Sequence, residues 1–289
     1  MGMQAQIKMV QCLSPAGLHA MAYKEWGDPR NPRVLVCVHG VTRVSDDFDA
    51  LAAAMSDEYR VICPDVVGRG RSAWLKDPKY YWVPQYVSDM VTLVARLDVP
   101  QIDWFGTSMG ALIGMGLAAM PDTPIRKMVM NDVGPTLNFQ ALSRIGSYIG
   151  DDLRFDSFQQ ARDYIRTISA PFGPHTDAEW DKLAADVLRQ TDDGRWRRHY
   201  DVSLALPFKV MTEESAQQGE AALWAAYDAV RCPVLLVRGA QSDLLTPETA
   251  QQMTLRGPRA HLVELPGVGH APTFMHDDQI ALARAFFLE

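Results

Sequence analysis

The sequence is poor in the features that mark metal, redox, nucleotide and nucleic-acid chemistry. Its four cysteines, Cys12, Cys37, Cys63 and Cys232, are scattered, and none forms a CxxC pair. Zinc ribbons and dithiol redox motifs are thereby excluded. Cys37, Cys63 and Cys232 lie in or beside apolar, strand-like runs, so reduced, buried thiols and a cytoplasmic protein are the expectation. No His/Cys/carboxylate spacing resembles a metal site, and neither GxGxxG nor a Walker loop occurs; no metal and no cofactor are expected. The N-terminal MGMQAQIKMVQCLSPAG lacks a basic start followed by an apolar block, so no signal peptide is expected. The longest nearly apolar run, Met109 to Met120, is too short to cross a bilayer. Positive charge is also short: 28 Lys and Arg face 35 Asp and Glu, net −7. That balance argues against nucleic acid or an anionic membrane as partner. The basic cluster RWRRHY, Arg195 to Tyr200, reads as a solvated face or a local salt-bridge cluster.

What is present is an alternation of apolar runs of strand length with helix-like stretches. VLVCVHG, YRVICPDV, QIDWFGTS and IRKMVMNDVG read as strands, separated by helix-like SDDFDALAAAMSD, WVPQYVSDMVTLVARLDV and MGALIGMGLAAMP. This βαβα rhythm predicts an α/β fold with a mostly parallel sheet covered by helices on both faces. The rhythm lapses from about Pro135 to Gly219, where amphipathic helices follow one another without clear strands, and resumes with CPVLLVRGA and AHLVELPG. The expected organisation is a core of residues 1–134 and 220–289 with a helical cap, 135–219, inserted as a lid.

At the junction of one strand and one helix stands FGTSMGA. Gly106-Thr107-Ser108-Met109-Gly110 is G-x-S-x-G in the strand–turn–helix context of a nucleophile elbow, with Ser108 as nucleophile. A serine needs a base, and the base an orienting acid. His270, in the Gly-rich PGVGHAP after the last strand-like run, is the base candidate. His261 starts a strand at the wrong end, and His276 lies in or near the last helix. Two aspartates compete as the acid. Asp243 follows the preceding strand and is favoured for giving the chain order Ser, Asp, His; Asp132 ends the strand after the elbow helix. Oxyanion donors are expected from the Met109 amide and from Val41, in the loop after His39-Gly40, with His39 structural.

On HGVT at His39, DVVGRGRS at Asp65, GTSMG at Gly106, RGAQSD at Arg238 and GVGHAP at Gly267, the sequence resembles the capped branch of the α/β-hydrolase superfamily. The resemblance implies the α/β-hydrolase fold, a Ser108–His270–Asp243 triad, an oxyanion hole at Val41 and Met109, and no cofactor. Dehalogenases and epoxide hydrolases carry Asp where this chain has Ser108, which disfavours their chemistry. Thr42 stands where many relatives have Pro, and Gly110-Ala111 where a glycine pair is common; neither change removes a catalytic group. The expected activity is hydrolysis of small to medium carboxylic esters, with cytoplasmic esterases of aliphatic hydroxy-acid oligomers and polyesters as the nearest analogy. The alternatives are a C–C bond hydrolase of vinylogous diketone acids, for which Arg144 or Arg166 would hold a carboxylate, and a non-catalytic ligand receptor.

Overall fold

VLVCV, Val34 to Val38, is a strand buried at every position, as a run apolar on both faces requires. Val36 and Val38 face one side of the sheet and Leu35 and Cys37 the other, so each face packs its own layer of helices. The computed structural model describes residues 4–289. In chain order its elements are β1 (Gln6–Ser14), β2 (Gly17–Trp26), β3 (Val34–Val38), α1 (Asp49–Met55), β4 (Arg60–Pro64), α2 (Val83–Leu97), β5 (Ile102–Thr107), α3 (Met109–Ala118) and β6 (Ile125–Asn131). There follow α4 (Phe139–Tyr148), α5 (Phe158–Ile168), α6 (Asp177–Val187), β7 (Leu188–Gln190), β8 (Trp196–Arg198), α7 (Leu206–Val210) and α8 (Glu213–Ala229). The chain closes with β9 (Val234–Gly239), α9 (Pro247–Leu255), β10 (His261–Leu265) and α10 (Asp277–Leu288).

Eight strands form one sheet in the order β1-β2-β4-β3-β5-β6-β9-β10. The pairs β1/β2 and β2/β4 are antiparallel; every other pair is parallel. The N-terminal hairpin β1–β2 is absent from the sequence reading. In β1 only Val10, Cys12 and Ser14 turn inward, while Ile7, Met9 and Leu13 stay exposed. Apolar residues on both faces blur the period-2 signal of a half-buried strand.

Between β6 and β9 lie α4 to α8 and a two-stranded ribbon, β7–β8, where the sequence suggested helices alone. These strands are three residues each, too short to print a pattern. The expected boundary at Gly219 falls inside α8. The inserted elements are tied to the sheet domain by directional bonds. The Gly70 amide donates to His199 O (3.0 Å), the Asp201 amide to Gly68 O (2.8 Å) and Tyr81 Oη to Asp201 Oδ2 (2.7 Å). On the far side the Gly269 amide donates to Pro171 O at 2.7 Å.

The elbow is where the packing is tightest. A Cβ on Gly106 would strike Gly110 and the Ala111 amide, and a Cβ on Gly110 would strike the Val38 carbonyl of β3. Backbone cannot step aside as a side chain can. Gly110→Ala is therefore expected to lower the free energy of unfolding by about 1–3 kcal/mol or more. Gly219 sits on exposed α8, with no heavy atom within 4 Å of the place an added methyl group would occupy. Gly219→Ala should raise stability by roughly 0.5–1 kcal/mol through helix propensity. Urea unfolding of both variants checks the opposite signs.

Candidate active site

Ser108 joins β5 to α3 at φ 52°, ψ −117°, a conformation L-residues rarely adopt. The Ser108 amide is fixed by Asn131 O at 2.8 Å. Its Oγ lies 2.9 Å from His270 Nε2, and His270 Nδ1 lies 2.8 Å from Asp132 Oδ2. An imidazole with Nδ1–H donating to the carboxylate leaves Nε2 to accept the serine proton.

The structure corrects the acid. Asp132, fully buried, contacts His270; Asp243 does not. Asp132 stands at the end of β6 with φ 60°, its own amide donating to Val237 O at 2.8 Å. That turn carries its carboxylate to three donors: His270 Nδ1, the Gly239 amide (2.8 Å) and Ser242 Oγ (2.7 Å). Asp243, half-exposed, instead takes a bidentate pair from Arg144 of α4, with Nε to Oδ2 and Nη2 to Oδ1 both at 3.0 Å. Chain order cannot choose between the two, because both aspartates lie between Ser108 and His270. Ser242, missed in the sequence, is the neighbour of the residue chosen.

Both expected oxyanion donors, Val41 and Met109, border the larger cavity at Ser108. Val41 and Ser108 line the same cavity, and Met109 begins α3, where its amide has no intrahelical acceptor. Among the described residues the Val41 amide makes no hydrogen bond. Its carbonyl is held from behind by Arg69 Nε at 2.8 Å, while Arg69 Nη1 bonds Val67 O (2.7 Å) and Nη2 the Met109 sulfur (3.4 Å). One buried guanidinium thus grips both flanks of the proposed hole, a role nothing in DVVGRGRS signals. His39 is structural: fully buried, it contacts Gly40 O through Nδ1 (2.7 Å) and accepts the Val66 amide at Nε2 (2.9 Å). Burial pushes its imidazole down to about 4, so it stays neutral. His261 opens β10, and His276 caps α10 beside Glu179, at 3.3 Å.

Ser108 stands between two cavities. One, about 310 Å³, is walled by apolar side chains, among them Leu112, Val133, Leu137, Leu142 and Phe208. The other, about 90 Å³, includes His270 and three arginines, Arg43, Arg144 and Arg198. Tertiary folding also gathers Cys12, His19 and Asp89, distant in sequence, at the β1–β2–α2 contact. There His19 Nε2 already pairs with Asp89 at 3.0 Å, and burial pushes the Cys12 thiol up to about 12, which keeps its proton on. No helix of the described residues is long and apolar enough to cross a membrane.

The profile of the alpha/beta hydrolase family matches residues 35–285. A 3-hydroxybutyrate-oligomer hydrolase of Cupriavidus necator is 57% identical over 290 residues, covering 99% of each chain. A Rickettsia typhi protein of known structure superposes with a TM-score of 0.89 at 29% identity, covering 98% of this chain and 99% of that one. An alpha/beta hydrolase from Novosphingobium aromaticivorans does so with a TM-score of 0.85 at 33% identity, covering 98% and 99%. With the elbow, the histidine loop and the eight-stranded sheet in place, this chain belongs to the alpha/beta hydrolase family.

Proposed function

We propose that the chain is a serine ester hydrolase acting on short oligomers of aliphatic 3-hydroxy acids, with Ser108, His270 and Asp132 as its triad. The Ser108–His270–Asp132 relay, at 2.9 and 2.8 Å, carries the reading. The substrate class rests on the full-length 57% identity to the 3-hydroxybutyrate-oligomer hydrolase.

His270 Nε2 takes the Ser108 proton as Oγ attacks the ester carbonyl. The Val41 and Met109 amides receive the developing oxyanion, assisted by the N-terminus of α3. As the tetrahedral intermediate collapses, the C–O bond breaks and the alcohol leaves with the proton from His270. Water, deprotonated by the same imidazole, then releases the acid from Ser108. Asp132 holds the productive tautomer and stabilises the transient imidazolium. Segment 135–219 serves as the lid that closes both cavities over Ser108. The four free cysteines, three of them buried, support a cytoplasmic setting.

Hydrolysis of p-nitrophenyl butyrate and of 3-hydroxybutyrate trimer by wild type, with loss of both in Ser108→Ala, is the expected result. Wild-type inactivity on every ester would remove the reading. Asp132→Asn should lower kcat by about 10⁴-fold through the wrong tautomer. Asp243→Asn should leave kcat nearly unchanged, and steady-state kinetics on both variants decides between the two acids. Arg69→Met should lower kcat about 10²-fold with little change in KM, because it loosens oxyanion donors that act only in the transition state. A rise in KM at constant kcat would assign Arg69 to substrate binding instead.

A further inference from the structure

The three arginines of the smaller cavity are not equivalent. Arg43 is paired to Asp47 through two bonds, at 2.7 and 2.6 Å, and Nη2 also reaches Leu183 O at 3.1 Å. Arg144 is paired to Asp243. Arg198, at the end of β8, is buried to 6% exposure, yet among the described residues no carboxylate lies within ion-pair distance of it. Its Nη2 donates to Asp151 O at 2.8 Å, and its Nη1 has no partner. Tyr164 and Tyr200 flank the guanidinium, with ring centroids at 5.5 and 5.0 Å. Tyr200 is buried too, and the Gly150 amide faces its Oη without closing a hydrogen bond. A guanidinium is a permanent cation, and burying one with an open donor and no counter-anion is costly unless a ligand completes it. The wall of the cavity at Ser108 therefore carries a buried cation with an uncommitted donor, planar and suited to a carboxylate.

Resting on the hydroxy-acid reading above, we infer that Arg198, with Tyr200, binds the free carboxylate of the oligomer, so that the chain is cut from its carboxyl end. The direction follows from the two cavities. In a linear hydroxy-acid ester the terminal carboxylate belongs to the alcohol half. The alcohol must leave beside the group that protonates it, and His270 borders the cavity of Arg198 and not the apolar one. The leaving group is then a single 3-hydroxy acid, whose alkoxide oxygen takes the His270 proton while its carboxylate stays on Arg198. The longer acyl half lies in the larger apolar cavity. Nη1 is fully covered by its neighbours, so the carboxylate reaches it with a small shift of the flanking rings.

The test compares 3-hydroxybutyrate trimer as free acid, its methyl ester, and p-nitrophenyl butyrate. Wild type should favour the free acid over the methyl ester by about 10- to 100-fold in kcat/KM, the worth of a charge-assisted hydrogen bond. Arg198→Met should lose that much on the free acid alone, and Arg198→Lys should regain part of it. Equal wild-type rates on free acid and methyl ester, or equal losses of the Met variant on all three substrates, would overturn the assignment. Should Arg198→Met fail to fold, a trimer labelled at its carboxyl-terminal unit decides: labelled monomer as first product supports it, labelled dimer overturns it. Turnover of p-nitrophenyl butyrate that Ser108→Ala abolishes keeps the esterase reading intact whatever Arg198 does. Activity there with none on any oligomer, acid or ester, removes the substrate class and this inference together.

Discussion

Between β5 and α3 the chain passes from strand to helix through one residue at positive φ, with so little clearance that the α3 backbone at Gly110 lies against the Val38 carbonyl of β3. This crossing fixes Ser108 relative to three neighbouring strands at once. Its amide is held by Asn131 O at the end of β6, and the Asn131 side chain reaches Pro272 O in the histidine loop at 2.8 Å. Asn131 thus ties the nucleophile through its main chain and the histidine loop through its side chain, the kind of support that confines a catalytic group to small displacements. The two glycines are required by contact, since any side chain there would separate α3 from the sheet.

Three charges buried near this crossing are handled in three ways, and the contrast separates scaffold from recognition. Asp132 accepts bonds from an imidazole, a hydroxyl and an amide, so its carboxylate is satisfied inside the protein. Among the described residues Arg69 has no carboxylate partner, but each of its three nitrogens is engaged, two by carbonyls and one by a sulfur. It stacks over Tyr86 at 4.9 Å besides. Both groups are complete without substrate, as parts of a preorganised site should be. Arg198 alone keeps an open donor. Among the described residues nine buried side-chain polar atoms lack a partner, and of these Arg198 Nη1 and Tyr200 Oη belong to residues that line the cavity at Ser108, which sets them apart from the rest.

Much of this was legible in the sequence, and the reasons are specific. VLVCV and VLLVRG announced strands buried on both faces because apolar residues, valine above all, follow one another without polar alternation. GTSMG announced the elbow because only glycine fits the crossing. Val41, Met109 and His270 could be placed by counting from strand ends. The acid could not. Strands β6 and β9 are neighbours, with Asn131 opposite Val237, so Asp132 and Asp243 both follow adjacent strand ends. What separates them is the positive φ at Asp132, which swings its carboxylate inward, and an arginine more than ninety residues away that draws Asp243 outward. Neither a single backbone angle nor a long-range ion pair leaves a local pattern. Hairpin β1–β2 was hidden by apolar residues on its outer face, and ribbon β7–β8 by its brevity.

The misplaced acid has a structural use that bears on how the site opens. Arg144 comes from α4 of the insertion and Asp243 from the loop after β9, so their pair spans the seam between insertion and sheet beside the cavity that His270 and Arg198 line. Both side chains are partly exposed, at 39% and 49%, so water and salt screen the pair and its contribution to stability is small. The contacts at the other end of the insertion are different in kind: Tyr81 to Asp201 and the Gly68 and Gly70 backbone bonds are buried or made by main chain. The insertion is also tied by the Gly269 amide to Pro171 O and by Arg43 to Leu183 O, so the screened Arg144–Asp243 pair is one weak tie among stronger ones. An oligomer that enters this cavity passes Arg144 on its way to the deeper guanidinium of Arg198. Arg144 is 39% exposed and Arg198 6%, so an anionic chain end loses water along that path, a cost that pairing with the buried guanidinium offsets. Weak pairing at the entrance and an unpaired cation at the end are together what directional entry of a carboxylate requires.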